Sequence, residues 1–254
     1  MARIGFIGTG EIAAAIVTGL AGRGHQILVS DRNADVADRL ARQHSDVLVT
    51  PNDQVVADSD IVFLCLLADV ARKVLPTLPF RPDHSVISVM VDVPLSDLKA
   101  LCAPAVDIAI TIPLPSVAVG GSALPVYPES AALRTLFGET DIIIACRDEN
   151  ALNAHFAASA LASPILDQMR EGAAWLTDLT GDATAAERYV ATVFAGFLRQ
   201  MTTDPDARFE GLLDSLSTEG GLNATLRAHM RDAGTLAELA EGLDTLKPRL
   251  GLAD

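Results

Sequence analysis

The stretch RIGFIGTGEIAAAIVTGL, residues 3–20, constrains the fold of this chain more than any other segment. A short apolar run ends at Gly8, a turn carries Gly8 and Gly10, and Ala13 takes a third small position as an amphipathic helix begins. The first glycine permits a tight turn, and the second lets a pyrophosphate approach the backbone. The third small residue allows the helix to pack closely on the strand. The unpaired N–H groups at the positive end of such a helix then meet the negative charge of the ligand. The arrangement predicts dinucleotide binding by a loop of Gly8, Thr9, Gly10, Glu11 and Ile12, the alternative being a domain of the same shape that has lost its ligand.

The rest of the first half agrees with that opening. RIGFIG, HQILVS, DIVFLCL, SVISVM, DIAITI and DIIIAC are apolar runs of strand length, most without the polar alternation of a half-exposed sheet. Strands buried on both faces read this way, and their alternation with helical patterns implies a Rossmann-type, doubly wound, mostly parallel sheet. The segments EIAAAIVTGLAGRG and NADVADRLARQH supply two of the helices, the second closing near His44. After about Asp148 the strand signals stop, and residues 151–181 read as helix through much of their length up to a turn at Gly181-Asp182. Thr184 and Glu187 form a capping-box pattern ahead of a stripe at Val190, Val193, Phe194, Phe197 and Met201. Further stripes run through Phe209, Leu212, Leu213 and Leu216, and through Leu236, Leu239, Leu243 and Leu246. The expected organisation is a dinucleotide-binding domain over residues 1–147 and an all-helical domain over 148–254. A helical set this rich in Ala and Leu can close on itself or pack against a second copy, and an intertwined homodimer is expected.

Composition excludes several partners. With 254 residues and half of them hydrophobic, the chain can bury a full core, built from Ala, Leu, Val and Ile because aromatics are only 4%. A formal charge of −14 without any basic run disfavours nucleic acid and anionic lipid surfaces. Cys65, Cys102 and Cys146 are widely spaced in or beside apolar stretches, which suits buried thiols in a reducing compartment and neither a disulfide framework nor a metal cluster. The opening ARIGFIGTG does not read as a signal peptide, and no apolar run is long enough to span a bilayer, so a cytoplasmic location is expected.

The second strand ends in ILVSDRN. An acidic residue about 20 positions after the glycines selects the ribose hydroxyl of NAD, whereas a nearby Arg accommodates the 2′-phosphate of NADP. Both are present, as Asp31 and Arg32, flanked by Ser30 and Asn33. If Asp31 points away, Ser30, Arg32 and Asn33 make a polar cradle for a phosphate. A salt-bridged Asp31–Arg32 turn is the structural alternative. NADP is favoured over NAD.

No second catalytic constellation stands out. The five histidines, His25, His44, His84, His155 and His229, are scattered and lack a metal spacing, so no metal is expected. His155, on an Ala-rich helix, reads as a packing or surface residue. Nor is there an assignable Lys or His to carry the proton that accompanies hydride in hydroxyacid oxidation. A protonated imine accepts hydride at carbon without a further proton at that step, so orientation takes over much of the work of acid catalysis.

These segments together resemble the pyrroline-5-carboxylate reductases over nearly the whole chain. GFIGTGEIA is similar to that family's G-F-I-G-x-G-x-M-A cofactor loop. ITIPLPSVAVGG falls where the family has M-P-N-T-P beside the nicotinamide, ALASPILDQM where it has G-S-G-P-A, and STEGGLNATL where it has S-P-G-G-T-T. The resemblance implies cofactor contacts at Leu66, Leu67 and Pro113 besides the loop. It also implies a substrate-holding turn at Glu219, Gly220 and Gly221, with Asn223 in place of the family's substrate-contacting Thr. Backbone amides at the start of the helix after the double glycine would hold the substrate carboxylate, close to the partner subunit's helices.

The departures fall on the substrate side. Glu219 replaces the family's Pro, Leu114 its Asn, Leu67 and Ala68 its Lys-Pro, and two glycines are lost around Ser163-Pro164. A carboxylate at Glu219 disfavours an anionic substrate nearby unless it turns outward. The expected activity is therefore NAD(P)H-dependent reduction of a cyclic or secondary imine, with less negative charge than pyrroline-5-carboxylate. Two other readings share the cofactor loop: reductases that pass hydride between NADP and a deazaflavin, and dinucleotide-responsive regulatory proteins without chemistry.

Overall fold

In a computed structural model, which describes residues 1–204 and 206–252, the chain divides into two compact units. The first comprises Met1–Phe156 with Leu250–Leu252, and the second Ala157–Arg249.

The first unit is built on eight strands: β1 (Arg3–Ile7), β2 (Gln26–Ser30), β3 (Val47–Thr50), β4 (Ile61–Leu64), β5 (Ser85–Ser88), β6 (Asp107–Thr111), β7 (Ala123–Tyr127) and β8 (Ile142–Ala145). They lie in the order β3-β2-β1-β4-β5-β6-β7-β8, and every neighbouring pair is parallel except β6–β7. The chain winds outward from β1 to β3, then returns to place β4 beside β1. That reversal opens a crevice at the carboxyl ends of β1 and β4, where ligands of open α/β sheets bind. The helices around the sheet are α1 (Glu11–Leu20), α2 (Ala34–Gln43), α3 (Asn52–Ala57), α4 (Ala68–Val74), α5 (Leu95–Leu101), α6 (Ala131–Phe137) and the first turns of α7 (Glu149–Ser159).

Continuous apolar strands are explained by two cores, one on each face. Ile4, Phe6, Ile27, Val29, Ile61 and Phe63 pack with residues of α1, α2 and α6. Ile7, Leu28, Val62 and Leu64 point the other way, toward α3, α4 and α5. Successive residues of a strand face opposite sides, so a sheet covered on both must be apolar at every position. The rings of Phe6 and Phe63, on paired strands, stack with centroids 4.9 Å apart.

β3 and β7 are absent from the apolar runs recognised in the sequence. β3 is only four residues long and half-exposed at the sheet edge. β7 carries Pro125 at its centre and pairs antiparallel with β6 through two residue pairs, Ile110 with Tyr127 and Thr111 with Val126. Proline lacks an N–H for the ladder, and the Thr111 hydroxyl donates to the Pro125 carbonyl at 2.8 Å across this short pairing.

The second unit is helical: the end of α7, then α8 (Ala162–Thr180), α9 (Ala183–Thr203), α10 (Phe209–Ser215), α11 (Leu222–Asp232) and α12 (Thr235–Asp244). The break at Ala160-Leu161 divides the long helical pattern into α7 and α8. α8 and α9 form a hairpin through the expected turn at Gly181-Asp182. The capping box expected from Thr184 and Glu187 is not what starts α9. Asp182 is the N-cap, its carboxylate accepting from the Ala185 amide at 3.0 Å, which is the stronger cap because the acceptor is charged.

The two units differ sharply in burial. Among the described residues of the second, the only fully buried apolar side chains are Ala173 and Ala186. Leu166, Trp175, Leu179, Tyr189, Phe194 and Leu198 are exposed along α8 and α9. No helix among the described residues is long and apolar enough to cross a membrane.

Candidate functional site: a glycine loop at the sheet crevice

The parallel register of β1 with β2 and β4 brings three segments to one edge: Gly8–Gly10, Ser30–Asn33 and Cys65–Leu67. Gly8 has φ +95°, and a Cβ there would lie 2.3 Å from the Cys65 carbonyl oxygen. Only glycine accepts that backbone and that spacing. Gly10 is the opposite case, since a Cβ on it would meet nothing within 4 Å. It faces open space from which a ligand can reach the backbone.

Gly10 is the N-cap of α1 and supplies no side-chain cap. The first intrahelical bond runs from the Ala14 amide to the Gly10 carbonyl at 2.9 Å, so the amides of the first turn have no partner within the helix. Uncapped N–H groups, the helix dipole and a small residue facing open space fit a diphosphate. Glu11 and Ile12 lie in this first turn, Glu11 exposed and Ile12 half-buried. Thr9 is buried.

The adenosine side differs from expectation in one residue. Ser30 is fully buried, and its hydroxyl accepts from the Gly8 amide at 2.9 Å. Its carbonyl accepts from the Thr9 hydroxyl at 2.6 Å. Ser30 therefore lies under the loop, bonded to Gly8 and Thr9, and does not face outward with its neighbours. Asp31, Arg32 and Asn33 are exposed, and among the described residues Asp31 and Arg32 form no ion pair with each other or with any neighbour. The salt-bridged alternative is not formed, and the guanidinium of Arg32 is available at the tip of β2.

At the end of β4, Leu66 lies against Gly8, with its Cδ2 3.0 Å from where a Gly8 Cβ would be, while Leu67 is 79% exposed. The half-buried Cys65 thiol is pushed up to about 12 by burial, which keeps it protonated and unreactive. Pro113 is buried against Ile16, Phe63, Val117 and Leu124, so it supports the segment after β6 from within and leaves Leu114 as the exposed residue there. The segments that follow β4, β5 and β6 (Cys65-Leu66-Leu67, Val89-Met90-Val91 and Ile112-Pro113-Leu114) contain no lysine or histidine.

The residues assigned to the substrate lie in the second unit. Thr218–Gly221 form a turn closed by the Gly221 amide donating to the Thr218 carbonyl at 2.9 Å, with Gly220 at φ +71°. Among the described residues no non-glycine residue has positive φ, so Glu219 and Gly220 occupy the central positions of a type II turn, the second of which requires glycine. Gly221 is the N-cap of α11, again without a side-chain cap, and Asn223 is exposed in the first helical turn. Arg227 holds the turn from behind, donating to the Leu213 carbonyl at 3.0 Å and to the Ser217 hydroxyl. Sequence reasoning missed Arg227, whose spacing from Ser217 becomes visible only once α11 is folded. The segment ALASPILDQM contributes Leu161, Pro164 and Gln168 to an apolar groove of about 490 Å³ against Leu239 and Leu243 of α12 and Leu246 just beyond it.

His155 Nδ1 lies 2.7 Å from the Ala151 carbonyl of its own helix, a packing contact. No cluster of His, Cys, Asp or Glu among the described residues is placed to hold a metal ion.

Residues 3–92, which span β1 to the end of β5 and the crevice, match the family described as NADP oxidoreductase, coenzyme F420-dependent. A pyrroline-5-carboxylate reductase of Pseudomonas aeruginosa is 26% identical over 267 aligned residues, covering 95% of this chain and 98% of that protein. The chain resembles pyrroline-5-carboxylate reductases from end to end. The same architecture occurs in the enzyme of that name from Streptococcus pyogenes, with a TM-score of 0.82 at 18% identity over 98% of both chains. It also occurs in the Plasmodium falciparum pyrroline carboxylate reductase with NADP bound, with a TM-score of 0.83 at 13% identity over 98% and 97%. At these identities the solved structures speak to the fold: a nucleotide-binding sheet followed by a helical half.

Proposed function

We propose that the chain is an NAD(P)H-dependent oxidoreductase of the pyrroline-5-carboxylate reductase type, reducing the C=N bond of a cyclic or secondary imine. The observation that carries this reading is the uncapped start of α1 behind Gly8 and Gly10, in a chain similar over 95% of its length to a reductase of that name. The cofactor is NADPH, with Arg32 and Asn33 at the 2′-phosphate and the amides of Glu11 and Ile12 at the diphosphate. The bound nicotinamide supplies hydride.

The chain's own residues orient and exclude. Leu66, Leu67 and Leu114 present apolar surface to the nicotinamide side and keep water from the reacting carbon. A substrate that arrives as an iminium ion needs no proton from the protein, which suits strand ends without Lys or His. The substrate is held at the Gly220-Gly221 turn by the free amides of α11 and by Asn223, with Glu219 beside it selecting against excess negative charge. The helical half pairs with a second copy. A helical unit whose described residues fully bury only two apolar side chains, both alanines, has little to offset an ordering cost of about 1–2 kcal/mol per residue, and the exposed apolar side chains of α8 and α9 are what a partner would cover. The enzyme works in the cytoplasm with its three thiols reduced.

The test is a steady-state assay with NADPH against pyrroline-5-carboxylate and a panel of uncharged cyclic imines. Oxidation of NADPH dependent on an imine is expected, with higher kcat/KM for the uncharged ones. Tight NADPH binding without turnover of any imine would instead favour a dinucleotide-responsive binding protein. Spectral change of a reduced deazaflavin on mixing with NADP would move the assignment to the family matched by residues 3–92.

A further inference from the structure

We infer that Thr9 and Ser30 form a latch that sets the glycine loop before any ligand arrives, so that both hydroxyls position the cofactor without touching it. The inference rests on the reading of Gly8–Ile12 as a dinucleotide loop. Three contacts define the latch: the Gly8 amide to Ser30 Oγ at 2.9 Å, Thr9 Oγ1 to the Ser30 carbonyl at 2.6 Å, and Thr9 Oγ1 to Ser30 Oγ at 3.0 Å. Each hydroxyl has one proton to give. The Thr9 proton goes to the Ser30 carbonyl, so the contact between the two hydroxyls is Ser30 donating to Thr9. Ser30 Oγ in turn accepts from Gly8. The ring closes on itself with every donor used.

Ser30 is 0% exposed and Thr9 3%, so water cannot replace a lost member of the ring, and a broken bond leaves a buried polar group unmade. Two consequences follow. The Gly8 amide is withdrawn from ligand binding, leaving the anion to the amides of the first turn of α1. Ser30 also ends β2 and is followed directly by Asp31, Arg32 and Asn33, so the latch ties the diphosphate turn to the adenosine turn through one residue. Thr9 and Ser30 are therefore positioning residues, and their loss lets two contact segments drift apart.

The experiment compares Thr9→Val, which keeps shape and loses the hydroxyl, with Thr9→Ser, which keeps the hydroxyl, alongside Ser30→Ala and the Thr9→Val/Ser30→Ala pair. Calorimetric titration with NADPH is expected to give Kd values about tenfold higher for Thr9→Val and Ser30→Ala, the scale of one buried hydrogen bond left unmade. Thr9→Ser should stay within about twofold of the parent on the same scale. The double variant should be no weaker than the weaker single one, because both changes break one ring. In turnover the loss should fall on KM for NADPH, with kcat far less affected. Hydrogen exchange without cofactor gives a second reading, in which the Gly8 amide is protected in the parent and opens in Ser30→Ala. Binding as weak in Thr9→Ser as in Thr9→Val, or a folded Ser30→Ala that binds NADPH as tightly as the parent, would overturn the latch. Binding of NADPH by the parent tests the cofactor reading separately.

Discussion

Two glycine turns lead into uncapped helices in this chain, and they are stabilised by different means. The Gly8–Gly10 turn is gripped by its surroundings, with Cys65 on one side and Thr9 and Ser30 on the other, at the edge of a sheet covered on both faces. The Thr218–Gly221 turn is made of local bonds, closed by one backbone hydrogen bond and braced by Arg227, and its residues are exposed or half-buried. The contrast extends to the units that carry them: one has two full cores, and the other, among the described residues, fully buries only two apolar side chains, both alanines. A turn rigid by packing can pre-form an anion site in a single chain, whereas a turn built from local bonds needs something further to fix its place.

The largest effect that would separate the two is glycine replacement. Gly8→Ala adds a Cβ against the Cys65 carbonyl at a strained φ, and should cost about 2–3 kcal/mol in thermal unfolding and about a hundredfold or more in NADPH affinity. Gly220→Ala carries strain without a clash, so its cost should be about 1 kcal/mol, with the imine KM raised and the NADPH Kd unmoved. Equal stability losses would break the comparison. Next in size is Trp175→Glu combined with Phe194→Glu, two exposed apolar positions of the helical hairpin. Sedimentation should show monomers in place of dimers, and hydrogen exchange should speed up in α8 and α9 while the sheet stays protected. A dimer that persists would place the interface elsewhere.

Glu219→Pro sharpens the contrast from the helical side. Proline suits the first central position of a type II turn, so about 0.5 kcal/mol of stabilisation is expected from reduced unfolded-state freedom. The KM for a carboxylated imine should fall severalfold as the neighbouring negative charge is removed. No change in that KM would acquit Glu219 as a selector.

The smallest effect is in pH. Burial holds His84 and His25 below their ordinary value of 6.5, helped by nearby Arg81 for the first and by the N-terminus and Arg23 for the second. The Arg81 amide donates to His84 Nδ1 at 3.0 Å, which fixes the neutral ring and leaves no place for a second proton. The unfolded chain takes up protons near 6.5 where the folded one does not, so this stability is fully present above that pH and is lost as pH falls toward the lowered folded values. Both histidines belong to the sheet unit. Urea midpoints at pH 7.5 and 5.5 should therefore differ for sheet unfolding, and a flat response would show both rings free to charge.

What could be read from the residues divides along the same line. The loop from Gly8 to Ile12 was legible from its glycines, and most of the apolar runs because a parallel sheet covered on both faces favours apolar side chains on each; β8 is apolar yet half-exposed at the sheet edge, with Ile142 at 55%. β3 and β7 were not, since a four-residue edge strand and a strand centred on Pro125 carry little of that pattern. Ser30 read as a ligand contact because sequence places it beside Asp31, whereas the pairing of β2 with β1 turns it inward. In the helical half the stripe at Val193 and Phe194 was visible at its proper period, but both residues remain exposed, because periodicity reports which face is apolar and not what covers it.

The seam between β6 and β7 sets an order of opening for the molecule. Elsewhere neighbouring strands share four residue pairs, but here they share two. The β7–β8 flap is thus the part of the sheet most easily peeled away with the nucleotide-binding strands left intact. Since Ile112–Leu114 leaves β6 at this join, breathing of the flap would loosen that segment while the Gly8–Gly10 turn, between β1 and α1, kept its place.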